Sequence, residues 1–336
     1  MIFRPVGVRR RGCSMADLIL NGAMARRLSG CVALLCLALA GVSCQSSSSA
    51  EGGAPPAPSS PVPPVTAISP AATPPAARPA ANPPIREFDL ATLARLGREL
   101  YRHDQLAWIA TDALTAQVGK ARLEAELTGG WIVDVSGPQP LVRFLRATAT
   151  GVEAAYDVSF PPTGRPFVRV PAVRTLTSGQ LVRRQAVQAA QQALIEGHFP
   201  LWKDPYNTVV LDDPAGRGFL VYYLRSKTAP EAIPVGGHYR ITVSEDGRAA
   251  RQVDRLFASF LTVDRSQLSN GGTMVAATMS HVISNTPLET HVFLSLQEHL
   301  PFYVITPDGR RWLVADGAIA LTNAKSAGAE PAPSPP

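Results

Sequence analysis

Between Gln45 and about Arg86 the chain is built almost wholly from proline, alanine, serine and threonine, as in Ala54-Pro55-Pro56-Ala57-Pro58, Pro61-Val62-Pro63-Pro64 and Pro83-Pro84. Such a stretch buries too little apolar area to offset the entropy of ordering it, so it divides the chain instead of folding with it. Proline biases it toward an extended, semi-stiff form, and at about 3.1 Å per residue a segment of this length reaches on the order of 100 Å. The tail from 324 to 336 has the same composition. What is left to fold is about 240 residues, enough for one large domain or for two to three small ones.

The residues ahead of the spacer read as an address. Met24-Ala25-Arg26-Arg27 precedes an apolar run from Leu28 to Val42, which fits the charged start and short apolar core of a secretory signal and is shorter than the roughly 20 residues of a membrane span. Residues 1–23 form a basic leader or precede a true start at Met15 or Met24. Two cleavage patterns compete. Ala38-Leu39-Ala40 offers the small-x-small pattern of ordinary signal peptidase, whereas Gly41-Val42-Ser43-Cys44 followed by Gln45 and four serines resembles the lipobox and tether of exported bacterial lipoproteins. In that family the residue three before the cysteine is usually leucine, and here it is Gly41. The resemblance implies a signal peptide over 24–43, a diacylglycerol thioether on Cys44 and a linker over 44–86.

Cysteine placement is consistent with this address. All four cysteines, Cys13, Cys31, Cys36 and Cys44, lie at or before the cleavage point, so the body carries neither a disulfide framework nor a thiol for catalysis or zinc. Charge is distributed in the same way. The chain carries 32 Lys+Arg and 26 Asp+Glu, a net +6, and six arginines against one aspartate before Cys44 account for five of those six charges. The body is nearly neutral and has no clustered basic run of the kind that neutralises a phosphate backbone, so no nucleic-acid partner is expected.

The body reads as α+β, with two helix-plus-antiparallel-sheet units followed by a mostly β C-terminal segment. In the first unit (87–176) Asp89 caps a helix whose apolar residues recur at Leu90, Leu93, Leu96, Leu100, Ala107, Leu114 and Val118, with a break near Gly119 and an end near Leu127. Strands follow at 131–135, 141–146 and 152–160. In the second unit (177–265) Thr177 or Ser178 caps a helix to Glu196, and strands follow at 208–211, 219–224 and 238–243. Glu245-Asp246-Gly247 turns the last of these into 250–256. In the segment 266–323, 290–296 reads as apolar strand-like sequence, 274–281 is open between helix and strand, and Pro307-Asp308-Gly309 joins two further strands.

Gly237-His238-Tyr239-Arg240-Ile241-Thr242-Val243 followed by Asp246-Gly247-Arg248 resembles the exported bacterial PepSY-type unit, over roughly 178–260. That resemblance implies a helix on a small antiparallel sheet and a noncatalytic envelope module, in one variant a modulator of an exported protease. The body is otherwise similar to uncharacterised exported bacterial proteins.

No local catalytic signature is present: the sequence holds no H-E-x-x-H, G-x-S-x-G, S-x-x-K, Walker loop or EF-hand pattern. Chemistry would need a nonlocal constellation, and three are conceivable. His281, His291 and His299 share one segment, and the first two offer imidazoles to a metal if they face each other. Tyr101-Arg102-His103-Asp104 with Trp108 and Asp112 places a carboxylate, Asp104, in the register of Leu100 and Ala107, as a ligand-binding acid with an aromatic neighbour or as half of an ion pair. Trp202, Tyr206, Tyr222, Tyr223, His238 and Tyr239 form an aromatic set that lines a groove for peptide or glycan, or else a core.

The resulting expectation is a noncatalytic envelope protein, lipid-anchored through Cys44 and facing the periplasm, or soluble there if cleaved after Ala40. Its partner is an envelope protein, a peptide or a glycan, met with Asp104, Trp108, Tyr206, His238 and Tyr239 as binding residues. No catalytic residue, metal or cofactor is assigned. The competing expectation is an exported hydrolase pairing His281 or His291 with Asp104.

Overall fold

The computed structural model describes residues 84–201, 203–267 and 274–322. The residues read as signal (24–43), Cys44, the spacer up to residue 83, Trp202 and the tail lie outside the described residues, whereas Ile85 and Arg86, at the end of the expected linker, are packed against the body. The described chain is α+β: four α-helices and fourteen strands, the strands forming three four-stranded sheets and one two-stranded sheet.

Helix α1 (Leu90–Val118) begins where Asp89 accepts the Thr92 amide at 2.8 Å, and it stops at Gly119, whose φ of 90° lies outside helical space. A short α2 (Lys120–Glu126) continues from it. Strands β1 (Gly130–Asp134), β2 (Leu141–Thr148), β3 (Gly151–Ser159) and β4 (Phe167–Arg169) then form an antiparallel meander in the order 1-2-3-4. Helix α3 (Ser178–Glu196) opens with a capping box: Thr177 accepts the Gln180 amide, and the Gln180 side chain accepts the Thr177 amide, both at 3.2 Å.

Strands β5 (Tyr206–Asp212), β6 (Phe219–Arg225), β8 (Tyr239–Val243) and β9 (Ala250–Arg255) make the second antiparallel meander, and β7 (Ala232–Pro234) pairs with β10 (Thr262–Asp264) beside it. The β8–β9 turn needs glycine twice over. Gly247 has φ 72°, and a Cβ there would overlap the Val182 carbonyl of α3.

This second sheet is covered on both faces. Ala186, Ala190 and Leu194 of α3 pack on Val221, Tyr223, Tyr239, Ile241 and Val243, while Val209, Leu211, Leu220, Tyr222 and Leu224 face Leu96 and Leu100 of α1 and the C-terminal segment. Every residue of β8 is therefore buried, including Arg240. Double coverage explains why β6 reads as a continuous Phe-Leu-Val-Tyr-Tyr-Leu run instead of alternating.

The C-terminal segment corrects one expectation. Residues 290–296 are not a strand but part of helix α4 (Glu289–Glu298). Strand β11 (Ala277–Ser280) pairs in parallel with β12 (Phe302–Ile305), and a parallel pair needs a crossover of a dozen or more residues, usually helical. The apolar run Val292-Phe293-Leu294 fills that crossover and is buried between α1 and the sheet. The ambiguity over 274–281 resolves to strand, and β13 (Arg311–Ala315) and β14 (Ala318–Leu321) complete the sheet as an antiparallel meander.

Helix α1, about 43 Å long at 1.5 Å per residue, does not serve the first sheet alone. Ala110 and Leu114, in its second half, pack with β2 and β3, whereas Leu96 and Leu100, in its first half, join the core of the C-terminal segment and β5–β6. At the α1–α4 crossing a Cβ on Gly97 would overlap the Val292 side chain and crowd the Glu289 carbonyl at 2.7 Å.

A buried ionic network ties the entering chain to this core. Arg240 Nε and Nη2 donate to Asp254 Oδ2 at 2.9 and 2.8 Å, and Nη1 donates to Glu289 Oε1 at 2.7 Å, which also accepts Tyr222 OH at 3.0 Å. Arg240 Nη2 also donates to the Arg86 carbonyl. The Arg86 guanidinium grips Asp213 through two bonds of 2.7 and 2.8 Å, and the Phe88 ring lies 4.8 Å from both guanidinium carbons.

Candidate functional site

The residues that the sequence offers as a binding set do not converge. Tyr206 and Tyr239 are core side chains of the second sheet: the Tyr206 ring lies 6.4 Å from Tyr223, and Tyr239 meets Phe199 edge-on at 5.9 Å and donates to the Pro200 carbonyl. His238 is fully buried; its Nδ1 accepts the Arg225 amide at 3.0 Å and its Nε2 donates to the Pro234 carbonyl at 2.7 Å. Burial drives its pKa to about 4, so the ring is neutral at physiological pH. The aromatic groove is thus a core: α3 covers Tyr206, Tyr223 and Tyr239, while Tyr222 packs in the core facing α1 and His238 lies against Phe257.

Asp104 is buried, as its register implies, but its partners are amides rather than an arginine. Asn207 Nδ2 donates to it at 3.0 Å and Gln297 Nε2 at 3.4 Å, and burial raises its pKa to about 6 against the Asn207 bond. Trp108, one turn on, is 40 % exposed. Asp104 therefore pins α1 to β5 and α4.

His281 and His291 do come together, as the first constellation supposed, with ring centroids 4.9 Å apart and planes near perpendicular. His299 instead caps α4 in a left-handed conformation. His281 Nε2 bonds Ser284 Oγ at 2.9 Å, and because Ser284 donates to the Thr286 carbonyl that nitrogen carries the proton. His291 Nδ1 accepts the Leu288 amide at 2.9 Å, which leaves the proton on Nε2. The two remaining nitrogens, an acceptor on His281 and a donor on His291, are buried and unpartnered. Burial lowers both pKa values, to about 4 for His281 and well below the ordinary imidazole value for His291. Asp104 is not among the contacts of either ring, and no group of three metal-ligating side chains occurs among the described residues.

A cleft among the described residues lies elsewhere. It encloses about 450 Å³ and is walled by α1 (Arg95, Glu99, His103), β1 and its extension (132–136), the start of α3 (Thr177, Gly179, Gln180, Arg183) and β5 (Val210, Leu211, Asp212). That volume falls within the roughly 300–1,000 Å³ of ordinary ligand sites. A smaller recess shares His103 and Arg183 and runs between Trp131–Val133 and Thr208–Val210. Topology makes this place unusual: β1 is the edge of the first sheet and β5 is the edge of the second. Among the described residues no backbone hydrogen bond joins the two edges.

The cleft's polar groups are unevenly satisfied. Asp134 accepts the Ser136 amide and hydroxyl at 3.0 and 2.6 Å, Asp212 pairs with Arg183 at 2.7 Å, and Glu99 lies 4.0 Å from Arg102. Among the described residues Arg95 is exposed and makes no ion pair, and His103, only 6 % exposed, pairs with Glu99 across 3.9 Å. Burial, then the charges of Arg183 and Arg102, bring the His103 pKa to about 4, so it presents a neutral donor and acceptor. The sequence names His103 only as a neighbour of Asp104 and does not single out Arg95. The available signal was their spacing with Glu99 at i, i+4 and i+8, a polar stripe on an otherwise core-facing helix.

Comparison of the chain with protein-family models, curated proteins and solved structures gives no match.

Proposed function

We propose that this is a noncatalytic cell-envelope protein, tethered through a lipid on Cys44, whose body binds an extended polypeptide segment of another envelope component. The observation that carries the reading is the cleft between edge strands of two different sheets. An extended segment laid there completes a hydrogen-bond ladder with β1 or β5, a mode in which main-chain bonds give affinity and the lining side chains give selectivity. Apolar Ile132, Val133, Val210 and Leu211 supply burial, and the charged rim admits a polar strand face. The resemblance of 178–260 to PepSY-type units favours, within this reading, a partner such as an exported protease.

The test is a photo-crosslinking residue at Ser136, on the cleft, compared with one at Gln192, on the exposed face of α3. A polypeptide adduct is expected from Ser136 alone, and the captured segment should slow amide exchange across 130–134 and 206–212. Equal adducts from both positions, or unchanged exchange, reject the reading. Palmitate labelling should vanish in Cys44→Ser; if it persists, the tether is wrong and the binding claim stands separately.

A further inference from the structure

The far edge of the first sheet is strand β4, three residues long and bracketed by Pro166 and Pro171, which have no amide to give a neighbouring strand. Beyond it the chain bulges over 170–173 and returns to β3, where the Ala154 amide donates to the Arg174 carbonyl at 2.8 Å. A short, proline-flanked, bulged edge is a poor template for an added strand. It nevertheless exposes three apolar side chains within seven residues: Phe167 by 58 %, Val170 by 56 % and Val173 by 69 %. Apolar exposure where strand pairing is blocked fits contact with a surface instead.

Charge points to the kind of surface. Residues 160–177 hold Arg165, Arg169 and Arg174 and no acidic residue. Arg169 approaches Asp157 at 3.8 Å and Arg174 approaches Glu153 at 3.4 Å, but each carboxylate is already held by an inner arginine. Asp157 accepts two bonds from Arg143 at 2.8 and 2.9 Å, and Glu153 accepts Arg146 Nε at 2.7 Å. Five arginines against two carboxylates leave three positive charges at this edge, in a body that is nearly neutral as a whole.

We propose that the β4 edge rests on an anionic phospholipid surface, with Phe167, Val170 and Val173 entering the headgroup region and Arg165, Arg169 and Arg174 meeting lipid phosphates. This contact is additional to the lipid on Cys44 and does not depend on the cleft. Because β4 and β1 are opposite edges of one sheet, a membrane against β4 leaves the β1 side of the cleft open to a partner.

The test uses the full chain carrying Cys44→Ser, which removes the acyl anchor from the readout, and vesicles of phosphatidylcholine with or without phosphatidylglycerol. Phe167→Trp serves as a local reporter, read as quenching by brominated acyl chains above the level given by the native tryptophans. Extra quenching is expected only with phosphatidylglycerol, and it should fade as salt rises from about 0.1 to about 1 M. Added to the reporter, Arg165→Gln should weaken binding about fivefold, the effect of one charge at a membrane surface. Val173→Asp should abolish the extra quenching at an unchanged melting temperature, since that side chain already faces water. Equal quenching on both lipids, or none lost in Val173→Asp, overturns the inference. Vesicle binding without extra quenching at residue 167 places the contact elsewhere and also overturns it. No vesicle binding, with the Ser136 adduct still formed, overturns this inference and leaves the strand-addition reading standing.

Discussion

Replacing Arg240 by methionine probes the centre of the fold. The guanidinium is fully buried and neutralises two carboxylates that are themselves 0 and 1 % exposed, on Glu289 and Asp254. Methionine keeps much of the apolar stem and removes every donor. Asp254 would retain the Gln252 side chain at 2.7 Å and the Arg86 amide at 3.3 Å, but Glu289 would keep only the Tyr222 hydroxyl, with its Oε2 already unpartnered. Removing one partner of a buried ion pair costs about 3–5 kcal/mol, because a charge stays out of water without compensation. Against a typical domain stability of about 5–15 kcal/mol, the full chain should remain folded at 25 °C but unfold at a much lower urea concentration.

Urea titration at neutral pH, followed by the fluorescence of buried Trp312, measures the difference. Adding Glu289→Leu should recover part of the loss, since an apolar replacement deletes the uncompensated charge. A loss under about 1 kcal/mol at neutral pH, or no recovery in the double variant, would refute the argument that this network bears on stability through charge burial.

Asp104 gives a prediction of the opposite sign. Its pKa is raised to about 6 from 3.8, so the folded state binds the proton more tightly than the unfolded one, and stability should rise as pH falls from 6 toward 4. Asp104→Asn should flatten that slope and raise stability at pH 7 by about 1–3 kcal/mol, read as a urea midpoint; an unchanged slope contradicts it. Gly97→Ala should cost about 1–3 kcal/mol by overpacking the α1–α4 crossing, measured by thermal unfolding, and a neutral result would mean that the helices separate at no cost.

Features set by neighbouring residues were legible in the sequence. Asp89 and Thr177 cap their helices, Gly119 breaks the first helix, and Asp246-Gly247 and Asp308-Gly309 turn their strands, because caps and turns are satisfied within a few residues of backbone. Helix α4 was misread because the short apolar run Val292-Phe293-Leu294 fits a buried strand as well as a buried helix, and only the parallel pairing of β11 with β12 decides between them. The aromatic set was misplaced for a related reason. Tyr206, His238 and Tyr239 have the composition of a groove, but α3 packing on the second sheet makes the two tyrosines a core, and His238 is buried against Phe257.

The sequence by itself determined the α+β class, the near-neutral cysteine-free body, and the start of each of the three longest helices but one. Tertiary structure decided that α1 serves two cores, that the second sheet is buried on both faces, and that the edges of two different sheets meet at one cleft. The physical reason is range. Hydrogen bonds in caps and turns close within a few residues, whereas the cleft joins Arg95, Asp134, Gly179 and Leu211, which no local rule relates.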